Sequence, residues 1–125
     1  MWFFSDEELE LQKVCKSFAQ NELAPFAEQH DKEESFNLNA FKKMGELGLL
    51  GITASTEYGG AGLGATAATI VMEEFGKKCA STTLSYLAHS ILCVNNIQNN
   101  GSQKQKEKYL PKLISGEHIG CMGMS

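Results

Sequence analysis

The sequence predicts an all-α fold, a bundle of five or six helices in orthogonal or up-down packing, with the first strand of a truncated β-domain at its C-terminus. Three observations carry that expectation. Apolar residues recur at helical rather than strand spacing, side chains suited to N-capping such as Ser5 and Ser102 stand before those runs, and glycines such as Gly48 and Gly116 close them. After Gly116 the pattern changes to a short apolar run, Ile119-Gly120-Cys121-Met122-Gly123-Met124-Ser125. The expected division is therefore a helical domain over residues 1–117 and the start of a β-domain over 118–125. That strand has nothing to pair with here, so the chain reads as a piece of something larger.

Ser5-Asp6-Glu7-Glu8 has the form of a capping box, in which the Ser hydroxyl accepts from the Glu8 amide and the Glu8 carboxylate reaches back. A first helix follows over 6–29, with Leu11, Val14, Phe18 and Leu23 as its apolar stripe and a kink near Pro25. Asn37 or Asn39 caps a shorter second helix carrying Phe41, Met44 and Leu47, which Gly48 ends by accepting the left-handed conformation. Next comes Glu57-Tyr58-Gly59-Gly60-Ala61-Gly62-Leu63-Gly64, a glycine-rich loop. It lacks GxGxxG spacing after a strand and has no P-loop lysine, so it favours a structural turn over a phosphate cradle.

A third helix is expected over 66–78 through Ala67, Ile70, Val71 and Phe75. Its Glu73 and Glu74 point about 100° apart on a helix, which suits a solvated face better than a catalytic pair. From Ser81 or Thr82 to Asn99 runs a fourth helix, with Leu84, Leu87, Ala88, Ile91, Leu92 and Asn95 on one face, the candidate wall of a core or pocket. Ser85 and His89 on this helix are four apart, but no orienting carboxylate or oxyanion turn accompanies them. The reading is a packed helix with polar edges. Asn100-Gly101 breaks the chain, Ser102 caps a fifth helix over 103–110, and Pro111 is expected to begin a further helical turn.

With 125 residues, 42% of them hydrophobic, the chain is long enough to bury a core of its own. A net charge of −4, with no stripe of lysine or arginine, speaks against nucleic acid as a partner. The four cysteines, Cys15, Cys79, Cys93 and Cys121, form no CxxC pair and suggest free thiols in a reducing compartment, with no metal site. Met1-Trp2-Phe3-Phe4 runs straight into acidic residues, so neither a signal peptide, an arginine-rich transit peptide nor a membrane span is read.

Several segments together go further. Gly51-Ile52-Thr53, the glycine-rich loop, Val71-Met72-Glu73-Glu74, Leu84-Ser85-Tyr86-Leu87-Ala88-His89-Ser90 and the stretch from Gln105-Lys106-Glu107-Lys108-Tyr109-Leu110-Pro111 to Gly116-Glu117 resemble, in order and spacing, the N-terminal helical domain of the flavin-dependent acyl-CoA dehydrogenases. Within that family the chain is most similar to the isovaleryl type.

The resemblance implies three domains in the parent protein, FAD bound between them, and a homo-oligomer. It implies α,β-dehydrogenation of a short- or branched-chain acyl-CoA, with electrons leaving through electron-transferring flavoprotein. It also implies a mitochondrial matrix location in a eukaryote or a cytoplasmic one in a bacterium. The family's proton-abstracting glutamate lies in the C-terminal domain, so no catalytic residue is expected in this chain and the piece alone is expected to be inactive. Carried over are Met122, Met124 and Ser125, matching the strand against the flavin, and Leu84 and Ala88, matching positions that line the acyl cavity. Departures from the pattern are Ser55 where proline is frequent, Leu87 where the isovaleryl type often has glycine, and Cys121 and Gly123 in place of other small or apolar residues. The competing expectation is a stand-alone, non-catalytic helical interaction module derived from the same domain.

Overall fold

The computed structural model describes residues 3–125. The expectation about the Met1-Trp2 start lies outside the described residues. The capping box at Ser5 is formed: its hydroxyl accepts from the Glu8 N–H at 3.2 Å, and the Glu8 carboxylate accepts from the Ser5 N–H at 2.8 Å. The single helix expected over 6–29 is divided into α1 (Asp6–Phe18), a π-helical turn (Ala19–Leu23) and α2 (Ala27–Glu33). Pro25 is the cause, because it has no N–H to continue the ladder. Just before it, the Ala24 N–H bonds the Ala19 carbonyl at 2.9 Å, five residues back, and the chain then turns into α2. The buried face of α1 runs through Cys15 and Phe18, while Val14 is exposed. The Phe18 ring packs on Phe75, centroids 5.4 Å apart, and that contact sets the rotation of α1 against the bundle.

Asn37, not Asn39, caps α3 (Leu38–Glu46), its Oδ1 accepting from the Ala40 N–H at 3.0 Å. Phe41 and Met44 of α3 enter the core, whereas Leu47 beyond its end is exposed. Gly48 follows at φ 75°, where a side chain would be strained. Two 3₁₀ turns, Leu49–Gly51 and Thr56–Tyr58, lead through the glycine-rich loop to α4 (Ala65–Gly76). Ala67, Ile70, Val71 and Phe75 of α4 are buried as their spacing predicts.

The fourth expected helix is a continuous rod over residues 80–100. It comprises α5 (Ala80–Tyr86), a π-helical segment (Leu87–Val94) and α6 (Asn95–Asn100). Gly101 breaks the chain, and Ser102 and Gln105 form a second capping box before α7 (Gln103–Ser115). No new helix starts at Pro111: α7 runs straight through it. Pro111 and Glu107 are both exposed, so the carbonyl that the proline leaves without a donor meets water. Leu110, Leu113 and Ile114 beside it are buried and hold the helix together across that position.

The expected strand over 118–125 is not formed, and no strand occurs among the described residues. A strand needs a neighbour to complete its ladder. Residues 119–125 instead leave α7 as an irregular tail after Gly116, which caps the helix at φ 80°.

Two packed clusters result. The larger joins α1, α3, α4 and the start of the rod around Phe41, Phe75 and Tyr86. The smaller sits under α7, around Val94, Leu110 and Ile114. Helices thus cover both clusters, and one face of the rod and the tail remain at the edge of the bundle.

Candidate functional site

The rod is where sequence and structure differ most. Its expected core face, through Leu84, Leu87, Ala88, Ile91 and Leu92, is not the buried one: Leu84 is 66% exposed and the other four are half-buried. The side facing the core carries Thr82, Tyr86, His89, Ser90 and Val94. Each polar group for which a partner is formed explains why that face turns inward. The Tyr86 hydroxyl donates to the Leu49 carbonyl at 2.8 Å, and its ring packs edge-on against Phe75. His89 Nε2 lies 2.9 Å from the Leu113 carbonyl, and His89 Nδ1 accepts from the Gly120 N–H at 2.9 Å. A buried polar group with its bonds made costs little, and the aromatic rings bring large contact area. The rod therefore carries a leucine-rich side and a mixed aromatic and polar side, and the side with hydrogen-bonding partners is the one packed here.

Leu84 and Ala88 share the outer side of the rod, at a spacing that places both on one helix face. A groove of about 400 Å³ runs between α4 and the rod, lined by Leu63, Ala68, Thr69, Met72, Ile91 and Asn95 among others. Neither Leu84 nor Ala88 lines that groove. The tail passes Cys93 of the same rod: a Cβ on Gly120 would come within 2.5 Å of Cys93 Sγ. Beyond it Met122 is half-buried and Met124 and Ser125 are exposed. Among the described residues, no hydrogen bond satisfies the backbone N–H groups of residues 121–125. The tail thus presents a row of free donors and a hydroxyl.

The other candidates are tied up in structure. Ser85 donates to the Ser81 carbonyl at 3.2 Å and does not meet His89, so no Ser/His pair exists. Glu74, expected on a solvated face, is instead 5% exposed; it receives a hydrogen bond from Gln12 at 3.2 Å and pairs with Lys77 at 2.7 Å. It turns inward because α1 packs across that side of α4. Glu73 is exposed and bonds the same lysine at 3.3 Å. In the glycine-rich loop the N–H groups of Gly60, Ala61, Gly62 and Leu63 all donate to carbonyls, those of Ser55, Gly51, Ala54 and Ile52, at 2.8 to 3.0 Å. None of these four is left to cradle a phosphate, and the loop is a structural turn.

All four cysteines carry free thiols. Burial pushes the Cys15 thiol up to about 12, helped by the Glu74 carboxylate. Burial likewise holds His89 below its ordinary value, opposed in part by its bond to Leu113. The sequence reading missed the role of His89. Its signal was a second stripe, Thr82, Tyr86, His89 and Val94 with half-buried Cys93 and Ile97, at three- to four-residue spacing, which hydropathy ranks below the leucine stripe.

The sequence pattern described as "Acyl-CoA dehydrogenase, N-terminal domain" matches residues 5–117. The chain belongs to the acyl-CoA dehydrogenase family. It is 52% identical to isovaleryl-CoA dehydrogenase, mitochondrial, of Arabidopsis thaliana over 98% of its own length and 30% of that protein's. Among solved structures it is similar to a glutaryl-coenzyme A dehydrogenase in complex with glutaryl-CoA, at 36% identity and a TM-score of 0.89, covering 96% of this chain and 31% of that one. An acyl-CoA dehydrogenase from Bacillus anthracis complexed with FAD matches at 33% identity and a TM-score of 0.87, over 94% and 20% of the two chains. The chain thus spans about 30% of the length of the curated relatives it matches. The family match ends at the C-terminal turn of α7, so the tail lies beyond the residues it covers.

Proposed function

We propose that this chain forms the helical N-terminal domain, with the opening of the next domain, of an FAD-dependent enzyme that introduces an α,β double bond into a short- or branched-chain acyl-CoA. The observation that carries the reading is the rod whose hydrogen-bonded side is packed inside, while its apolar side presents Leu84, Leu87 and Ala88 outward on the same rod that the tail passes at Cys93. The relatives named as isovaleryl-CoA dehydrogenases support the branched-chain substrate.

In this reading Leu84 and Ala88 shape the end of the acyl pocket, and the bulk of Leu87 sets how much of that face is available. The donor set of the tail fits a flavin's polar edge. Ser125 and the free N–H groups beside it would hold the oxygen- and nitrogen-bearing rim, Met122 and Met124 would pack on the ring, and a donor there favours the charge of the reduced state. When bound, FAD supplies the electron acceptor, and electron-transferring flavoprotein receives the electrons. The acid–base candidates on α4 and the rod are engaged elsewhere: Glu73 and Glu74 share Lys77, and both nitrogens of His89 are engaged by backbone. By likeness to the family, the base comes from residues outside this chain and the enzyme is a homo-oligomer. Among the described residues no helix is long and apolar enough to cross a membrane. The location implied is the mitochondrial matrix in a eukaryote or the cytoplasm in a bacterium.

The test is Ser125→Ala in a full-length enzyme carrying this domain. Anaerobic reduction of the flavin by isovaleryl-CoA should slow about tenfold or more, as loss of one charge-stabilising donor typically does. An unchanged rate removes Ser125 from the flavin site. Failure of every short- or branched-chain acyl-CoA to reduce the flavin sinks the assigned substrate class.

A further inference from the structure

His89 has no part in the chemistry proposed above, yet it is fully buried and makes two hydrogen bonds of opposite polarity. The Leu113 carbonyl can only accept and the Gly120 N–H can only donate. Nε2 therefore carries the proton and Nδ1 offers its lone pair, which fixes both tautomer and ring orientation. The Phe41 ring packs edge-on against the imidazole, centroids 4.9 Å apart, and restrains its rotation. One bond grips the last turn of α7; the other grips the tail beyond the Gly116 turn. Glycine at 120 lets the backbone reach the imidazole without displacing neighbours, since a Cβ there would stand 2.5 Å from Cys93 Sγ and 3.0 Å from Leu113 Cδ2.

We infer that His89 is a positioning residue for the tail: by holding the Leu113 carbonyl and the Gly120 N–H at once, it sets the direction in which residues 120–125 leave α7. The functional consequence rests on the reading of Ser125 as a flavin contact, while the clamp itself belongs to this chain alone. Anchored at Gly120, Ser125 is tethered within roughly 17 Å; anchored only at His118, whose N–H bonds the Lys112 carbonyl at 3.0 Å, its reach grows to roughly 24 Å. The accessible volume then rises about threefold, and the chance of finding Ser125 at a given place falls by the same factor.

The experiment is NMR on the 125-residue chain with three replacements. The ¹⁵N shifts of His89 in the unsubstituted protein should report a protonated Nε2 and an accepting Nδ1; the opposite tautomer overturns the proposal whether or not any variant folds. His89→Phe removes both bonds, His89→Gln keeps a donor near the Nε2 position, and His89→Asn keeps an acceptor near the Nδ1 position. Exchange of the Gly120 amide should quicken about tenfold in the Phe and Gln variants and stay within about twofold in the Asn variant. Equal acceleration in all three, or a Gln variant that exchanges like the parent, overturns the clamp. In a full-length enzyme, His89→Gln should lower the rate of flavin reduction about threefold with KM for acyl-CoA unchanged. A normal rate there, with the exchange order intact, refutes the flavin contact of Ser125 and leaves the clamp standing.

Discussion

Replacing Gly60 by alanine should destabilise the fold by about 2–4 kcal/mol, although Gly60 is neither at positive φ nor inside a helix. A Cβ at this position would collide with the carbonyl carbon and oxygen of Ala54 and stand 2.7 Å from its Cβ. Backbone on both sides of the clash cannot rotate away as a long side chain would. The two bonds running through the colliding segment are Gly60 N–H to Ser55, at 3.0 Å, and Gly62 N–H to Ala54, at 2.8 Å. Losing both costs about 2 kcal/mol, and leaving the carbonyl of buried Ala54 without a partner adds about 1–3 kcal/mol. Alanine returns about 0.5–1 kcal/mol by restricting the unfolded chain. Gly76→Ala is the internal control. Gly76 is exposed at the end of α4, its Cβ would meet nothing nearer than Thr83 at 3.8 Å, and the change should stabilise by about 0.5 kcal/mol. Urea unfolding followed by far-ultraviolet circular dichroism reads both. The reasoning fails if Gly60→Ala unfolds within about 0.5 kcal/mol of the parent, or if the two substitutions shift the midpoint in the same direction.

His89 makes stability depend on pH with a definite sign. Its folded value lies below 6.5 because burial disfavours the cation, so the unfolded chain binds the proton more readily. The contribution is fully present above pH 6.5 and is lost as pH falls from there through the folded value, with a slope of at most about 1.4 kcal/mol per pH unit. Urea midpoints between pH 7.5 and 5 should fall more steeply for the parent than for His89→Phe, and parallel curves would count against the buried neutral imidazole. Leu84→Asp should leave stability of the 125-residue chain within about 0.5 kcal/mol, because Leu84 is 66% exposed. Exposed apolar faces drive self-association, so the 125-residue chain should associate at high concentration by light scattering and this change should weaken it. Global unfolding of this variant would mean that Leu84 is packed. Iodoacetamide at pH 8 should alkylate exposed Cys121 and spare Cys15, which is fully buried and pushed up to about 12; peptide mapping that finds equal labelling refutes the packing of α1 on α4.

The helical class and most helix ends were legible in the sequence because they depend on short-range chemistry. The Ser5 and Ser102 caps, the Asn37 cap and the glycine stops at Gly48 and Gly116 act over a few residues, and the structure forms each of them. The family likeness was legible for a related reason, since ordered motifs along the chain need no coordinates. Tertiary structure decided which side of a helix faces inward. On the rod the leucine stripe and the Tyr86–His89 stripe compete, and hydropathy alone favours the first. The second is inside because partners far along the chain, the Leu49 and Leu113 carbonyls and the Gly120 amide, complete its hydrogen bonds. Pro111 likewise sits within α7 because Leu110, Leu113 and Ile114 beside it are buried, and Glu74 turns inward because α1 covers it. The tail forms no strand without a neighbouring strand to pair with. Caps and stops are local, and the sequence alone determined them; burial and pairing belong to contacts between distant segments, and only the fold decided those.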